Sequence, residues 1–306
     1  MKPIIPPVEK SALISELSQE FFLRKTNKTN NELYAFTAHQ CPQLMRELGR
    51  LRELTFRASG GGIGEEMDID FYDISSKPYT QLIVWNPQEK EIMGGYRYIK
   101  CADAEIDADG NYILATSHLF HFSDNFRDNY LPYTIELGRS FVQPKYQATK
   151  DNRIGLYALD NLWDGLGYLI VNNTGIKYFF GKVTMYNSYN RKARNLLLFF
   201  MHKYFPDVEK LVIPINSVFN YNDFLKFNQI FKSDNFNENY KILQRHLKQY
   251  NENIPPLINA YMKLTSSMIT FGASSNDTFG EVEETGIMIT ISDILSSKKE
   301  RHIGLK

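Results

Sequence analysis

The stretch TIELGRSFVQPKYQ (residues 134–147) is apolar at Ile135, Leu137, Phe141 and Val142, which predicts a strand that stops at Pro144. Two charges, Glu136 and Arg139, sit inside it three positions apart. On an ideal strand that spacing points the pair to opposite faces, so either a bulge intervenes or the two do different work. Burying either charge unpaired is expensive, so partners must come from elsewhere in the chain. Taken alone, the pattern fits an ordinary ion pair at a sheet rim.

Working outward, residues 148–173 read as a loop feeding a helix whose apolar stripe takes in Leu156, Leu159, Leu162, Trp163, Leu166 and Ile170. IKYFFGKVTM (176–185) then predicts a strand and NRKARNLLLFFMHKYF (190–205) a helix. Strand, helix, strand, helix in succession is the pattern of an α/β core. Upstream, residues 79–86 and 92–99 predict two strands joined by PQEKE as a hairpin, with Arg97 on the face opposite Tyr96 and Tyr98. Residues 42–59 predict a helix with Leu44, Leu48, Leu51 and Leu54 on its stripe. Residues 8–24 predict an amphipathic helix, 33–36 a strand, and SHLFHFSDNF (117–126) a short helix. Beyond residue 210 come a polar, partly helical stretch, a proline-started helix at 255–264, a strand or edge hairpin over 279–294 and a basic tail expected to fray. The sequence divides linearly into an N-terminal helical extension (1–40), a core (41–210) and a C-terminal extension packed on it (211–306).

At 306 residues the chain can bury a sizeable core. Its 35 Lys+Arg balance 35 Asp+Glu, which gives no global field for nucleic acid. Two cysteines, Cys41 and Cys101, are too few for a disulfide scaffold and match no metal spacing, as expected of free thiols in a reducing compartment. The N-terminus lacks the uninterrupted apolar region of a signal peptide, and the longest apolar run, LLLFFM (196–201), falls far short of the ~20 residues of a bilayer span. A cytoplasmic protein with at most peripheral membrane contact is expected.

Several local patterns carry chemistry only superficially. Gly60, Gly61, Gly62 and Gly64 form a tight loop without the Lys-Ser/Thr of a phosphate-binding P-loop. The acids after it (Glu65, Glu66, Asp68, Asp70, Asp73) lack the twelfth-position Glu of a calcium loop. His118 and His121 have no further zinc ligands at suitable spacing. Between Gly165 and Pro206 lie Lys177, Lys182, Arg191, Lys192, Arg194 and Lys203 but no acid. That implies a positive patch for phosphate or an acidic partner if they share a face, or pairing with distant acids if they do not.

The words ELGRSFVQPKY resemble the central motif of the N-acyltransferases of bacterial aminolipid synthesis, the ornithine-lipid and glycine-lipid synthases. These are relatives of acyl-homoserine-lactone synthases within the GNAT superfamily. The resemblance continues through GRLRELTFRASGGGIGEEMDIDFYD (49–73), MGGYRYI (93–99), LDNLWDGLGYLI (159–170), FFGKVTM (179–185) and PPLINAYMKL (255–264). It implies an α/β GNAT-like fold, a mixed, mostly antiparallel central sheet flanked by helices. It implies an acyltransferase that moves a long (3-hydroxy)acyl group from acyl carrier protein to the α-amine of glycine or ornithine, with no bound cofactor and acyl-CoA as the other possible donor. A separate enzyme would perform O-acylation, because the His-x4-Asp spacing in HKYFPD (202–207) lacks its companion motif. The name hemolysin attaches to such proteins by resemblance, although no segment here looks able to perforate a bilayer.

By the same resemblance Glu136 is the general base, and Arg139 orients it or binds the acceptor's carboxylate. Arg52, Asp68, Asp70, Arg97 and Phe141 match substrate-site positions. Lys145, Lys150, Arg153 and Lys182 are assigned to the phosphopantetheine of the donor. KYQATKDNRIGLY (145–157) departs from the Arg/Gln-x-x-Gly-x-Gly/Ala pyrophosphate loop of ordinary GNAT acetyltransferases, which weakens acetyl-CoA as donor. Two other readings remain open at this level: a CoA-dependent GNAT enzyme acting on another amine, and a non-catalytic GNAT-like module that binds lipid or carrier protein.

Overall fold

Alternating apolar residues build the strands and apolar stripes the helices in the computed structural model, which describes residues 1–147, 157–219 and 226–303. In chain order come α1 (Lys10–Glu16), β1 (Phe22–Lys25), β2 (Glu32–Phe36), α2 (Pro42–Ala58), α3 (Phe71–Ile74), β3 (Thr80–Asn86) and β4 (Glu91–Lys100). Next are β5 (Phe120–Phe122), α4 (Asp124–Asn129), β6 (Thr134–Val142), α5 (Ala158–Asn172), β7 (Tyr178–Met185) and α6 (Arg191–Tyr204). Then follow β8 (Val212–Pro214), α7 (Phe236–Gln249), α8 (Pro256–Met262), β9 (Ile269–Asn276), β10 (Val282–Thr290) and α9 (Ser296–His302). Among the described residues no helix is long and apolar enough to cross a membrane.

The chain forms two compact units: Met1–Ala115, Tyr133–Lys177 and Leu295–Lys306 make the first, Thr116–Pro132 and Tyr178–Ile294 the second. Neither is a continuous segment, so a linear division at residues 40 and 210 divides the sequence and not these units. In the first unit β1, β2, β3, β4 and β6 pair in that order, each pair antiparallel. Helix α5 packs on β3 and β4, and α2 packs on β6. The strand period separates the two faces: Leu82 and Tyr96 meet α5 at Gly165, while Gln81 and Arg97 turn the other way, toward α2. In the second unit β7, β10 and β9 pair antiparallel, as do β5 and β8. Phe126, Phe180 and Phe271 meet there with ring centroids 5.4–5.9 Å apart.

Some expectations change. The helix expected over 8–24 ends at Glu16 and gives way to β1, because Phe22 packs edge-on against Tyr34 of β2. Glu16 itself caps α2, accepting from the amides of Gln43 (2.9 Å) and Leu44 (2.8 Å), where Cys41 offers no side-chain cap. Leu54 is exposed and leaves the α2 stripe, whose buried face takes in Arg52 instead. The stretch 117–126 splits into β5 and the start of α4, because Ser123 caps that helix by accepting from Phe126 (3.1 Å). The basic tail forms α9, held on α5 by His302 Nδ1 to Asp164 Oδ1 at 2.8 Å.

The glycine loop folds back on its own helix. Glu53 of α2 is buried, and its carboxylate accepts from the amides of Ile63 (3.1 Å) and Gly64 (2.8 Å) and from Arg57 Nε (2.6 Å). Gly62, at φ +93°, brings the backbone so near that a Cβ there would sit 3.1 Å from Glu53 Oε1 and Oε2. The protein fills this nest of amides with its own anion, which leaves no place there for phosphate. Glu53→Ala strands those amides, so a loss of about 3 kcal/mol in urea unfolding, with new proteolytic cleavage in residues 60–66, is the expected outcome.

Candidate active site

The spacing problem in TIELGRSFV is solved by a bulge. β6 faces β4 with Ile99 opposite Glu136 and Arg97 opposite Gly138, but Gly95 faces Phe141, so one residue of β4 spans two of β6. Arg139 lies in that gap at φ +51°, a left-handed conformation that costs a non-glycine residue about 1 kcal/mol or more. The extra residue swings Arg139 to the face where Arg97 stands, and both guanidiniums reach Asp70.

Around that point three cations meet three anions. Arg97 donates from Nη1 (2.6 Å) and Nη2 (2.9 Å) to the two oxygens of Asp70, and Nη1 lies 3.1 Å from Asp73 Oδ2. Arg139 Nε lies 2.8 Å from Asp68 Oδ2, and its Nη2 donates to Asp70 Oδ2 at 3.3 Å. Arg52 Nη1 donates to both oxygens of Asp73 (3.2 and 3.3 Å), and its Nη2 donates to Gln81 Oε1. Gln81 Nε2 completes the ring by donating to Asp73 Oδ1 at 3.0 Å. The two outer carboxylates of α3 are fixed by a capping box: Asp70 accepts from Tyr72 N (3.0 Å), and Asp73 accepts from Asp70 N (3.1 Å).

Glu136 lies beside this cluster, buried. Its Oε2 accepts from the Tyr79 hydroxyl and from the Ala115 amide at 3.2 Å. The same amide donates to the Tyr79 oxygen at 3.0 Å. Arg97 covers the ring faces of Tyr79 (5.1 Å) and Tyr72 (5.4 Å). One guanidinium therefore touches both the acid cluster and the tyrosine that holds Glu136.

Burial and charge compete at each group. Burial works to raise Asp70 and Asp73, but Arg97 outweighs it at both, helped at Asp73 by Arg52, so both carboxyls sit below the usual range. At Asp68 burial wins over Arg139 and raises the carboxyl. Burial would lower Arg97, yet Asp73 and Asp70 hold it well above the ordinary value, while Arg52 is lowered by its burial. Burial and the charge of Glu136 push the Tyr79 phenol well above 10.

A family model described as acetyltransferase (GNAT) domain matches residues 51–153, the span that contains this cluster. A glycine N(alpha)-acyltransferase of Bacteroides thetaiotaomicron is 53% identical over 99% of this chain and 90% of its own. A protein of the same name from Phocaeicola vulgatus is 50% identical over 99% of this chain and 93% of its own. The chain belongs to this acyltransferase family. Among solved structures, FeeM, an N-acyl amino acid synthase from uncultured soil microbes, aligns over 89% of this chain and 99% of its own, at 10% identity and TM-score 0.42. The GNAT fold and an acyl-transfer activity follow from family membership.

The residues assigned from sequence divide into two groups. Glu136, Arg139, Arg52, Asp68, Asp70 and Arg97 come together. Phe141 lies buried on the same strand, edge-on to Phe56 at 6.4 Å. Of the assigned donor-site lysines, Lys145 is half exposed and paired with Glu91 and Glu89, and Lys182, in the second unit, is 3.1 Å from Glu284. Lys150 and Arg153 lie outside the described residues. The acid-free positive run loses two members to distant acids, because the β7–β10 register sets Glu284 beside Lys182 while Glu283 takes Arg194. Asp73, Tyr79 and Gln81 join the cluster without having been assigned to it. The Asp-x-x-Asp spacing of a capping box marks Asp73, and the polar alternation of Tyr79 and Gln81 opposite Arg97 marks the other two.

Asp70 and Asp73, depressed in the folded state, contribute stability that is full above about pH 4–5. That contribution is lost as pH falls below the unfolded-state value toward the lower folded ones; Asp68, raised, acts in the opposite sense. Asp73→Asn leaves Arg52 and Arg97 short of charge, so it costs about 3–5 kcal/mol at pH 7 in urea unfolding, and its stability falls less steeply than the parent's below pH 4.

Proposed function

We propose that this acyltransferase moves a long-chain (3-hydroxy)acyl group from acyl carrier protein to the α-amine of glycine, with Glu136 as general base. The observation that carries the reading is a buried carboxylate held by Tyr79 and Ala115 beside a cluster of guanidiniums, in a chain half identical to glycine N(alpha)-acyltransferases. Those relatives favour glycine over ornithine as the acceptor.

An amino group is protonated near neutral pH and has no lone pair to attack with. Glu136, directly or through one water, takes a proton from the ammonium, and the freed nitrogen attacks the thioester carbon. A C–N bond forms, the carbonyl oxygen becomes an oxyanion, and backbone amides of the bulged stretch at residues 138–141 meet it. Glu136 passes that first proton to solvent and takes a second from the nitrogen of the adduct. Collapse breaks the C–S bond, and the second proton passes from Glu136 to the leaving thiolate, so each turnover releases one proton. Arg139, which has the fork geometry for a carboxylate and is held by Asp68 and Asp70, is assigned to the acceptor's carboxylate. Arg97, Arg52, Asp68 and Asp70 fix that arginine and the wall behind it.

The donor is assigned to carrier protein because the sequence departs from the pyrophosphate-loop pattern of GNAT acetyltransferases. Because the product is an amphiphile, we assign the enzyme to peripheral contact with the cytoplasmic membrane face and any O-acylation to a separate enzyme.

Purified protein supplied with a long-chain acyl thioester and glycine is expected to yield N-acylglycine by mass spectrometry. Glu136→Gln keeps the shape and removes the base, so turnover falls about 10²–10⁴-fold. Unchanged turnover in that variant, or no transfer by the parent protein, would sink the assignment.

A further inference from the structure

Tyr79 is built into the first unit more firmly than a buried phenol requires. Its ring centroid lies 5.1 Å from the Arg97 guanidinium and 5.8 Å from the ring of Tyr72, which Arg97 also touches, in an edge-to-face contact. Tyr79 stands immediately before β3, two residues ahead of Gln81, which faces Arg97, and Ile99, two residues after Arg97, faces Glu136. The hydroxyl thus spans β4 to reach Oε2 of Glu136, and the Ala115 amide ties the two oxygens together.

We infer that Tyr79 is a positioning residue for acyl transfer, holding the Glu136 carboxylate in place by Oε2 and keeping it ionised until the amine arrives. The inference rests on the reading of Glu136 as base. A buried carboxylate otherwise tends to take up a proton, and a donor hydrogen bond to its charged form opposes that. Toward Glu136 the Tyr79 hydroxyl acts as the donor and keeps its proton, because burial and the neighbouring carboxylate raise the phenol well above its ordinary value of 10. Of the two protons that the ammonium nitrogen loses, Glu136 takes each in turn, the first going on to solvent and the second to the thiolate, while the phenol's proton stays where it is. Arg97 extends the arrangement, since the guanidinium that binds Asp70 and Asp73 also fixes the ring.

Tyr79→Phe keeps the ring and removes only the donor, and the Ala115 amide retains Glu136 as a partner. With saturating acceptor, the acid limb of the pH profile of kcat moves up by about one unit, because the base now holds its proton more tightly. Turnover on that limb falls about tenfold, the loss shrinks at higher pH, and KM for the acceptor changes little. A uniform loss across pH with the limb unmoved, or no loss at all, overturns the inference. Should the variant fail to fold, 3,5-difluorotyrosine placed at position 79 is the second test. Its more acidic phenol binds the carboxylate more strongly and moves the limb down, and an unmoved limb again overturns the inference. Glu136→Gln separates the two levels: full turnover there removes the base reading and this inference with it. An inactive Glu136→Gln together with an unmoved limb in Tyr79→Phe removes this inference alone.

Discussion

Arg97 is the interaction on which the rest of the first unit depends. Its guanidinium is buried, fork-bonded to Asp70, within 3.1 Å of Asp73, and stacked on Tyr79 and Tyr72. Removing such charges from water costs several kcal/mol per ion, and the attraction between them roughly offsets that cost. What remains is geometry. A cluster whose every member is fixed by an opposite charge places Arg139 and Glu136 on one face of the sheet with little freedom to drift.

The glycine loop shows the same economy from the other side. Residues 60–64 look like a place for an external anion, yet Glu53 occupies the amides of Ile63 and Gly64, and Arg57 neutralises it. The loop's task is therefore to fix the path from α2 to Asp68 and α3. Helix α3 is a single turn, and its capping box aims Asp70 and Asp73 inward at Arg97 and Arg52.

Much of this was legible in the sequence. The period of two in residues 79–86, 92–99 and 134–142 gave the strands, and the glutamate-arginine spacing on the last of them required either a bulge or separate faces. The bulge at Arg139 is what formed. The family resemblance named six of the charged residues that meet. What local pattern could not show is pairing across the chain. Tyr79 and Glu136 are 57 residues apart and meet only because β4 sets both on one face. Lys182 reads as a free cation until the β7–β10 register places Glu284 beside it. For the same reason residues 17–24 read as helix: their apolar spacing fits both periods, and only the pairing of Phe22 with Tyr34 decides for a strand.

The central assignment is that a carboxylate base and a carboxylate-binding guanidinium select a small amino acid's amine as nucleophile. It is tested most directly by offering the purified enzyme one long-chain acyl thioester and an equimolar mixture of the twenty amino acids, then identifying the products by mass spectrometry. Formation of N-acylglycine far ahead of any other product is the expected result. Acylation spread evenly over many amino acids, or transfer only to amines that lack a carboxylate, would contradict the assignment of Glu136 and Arg139.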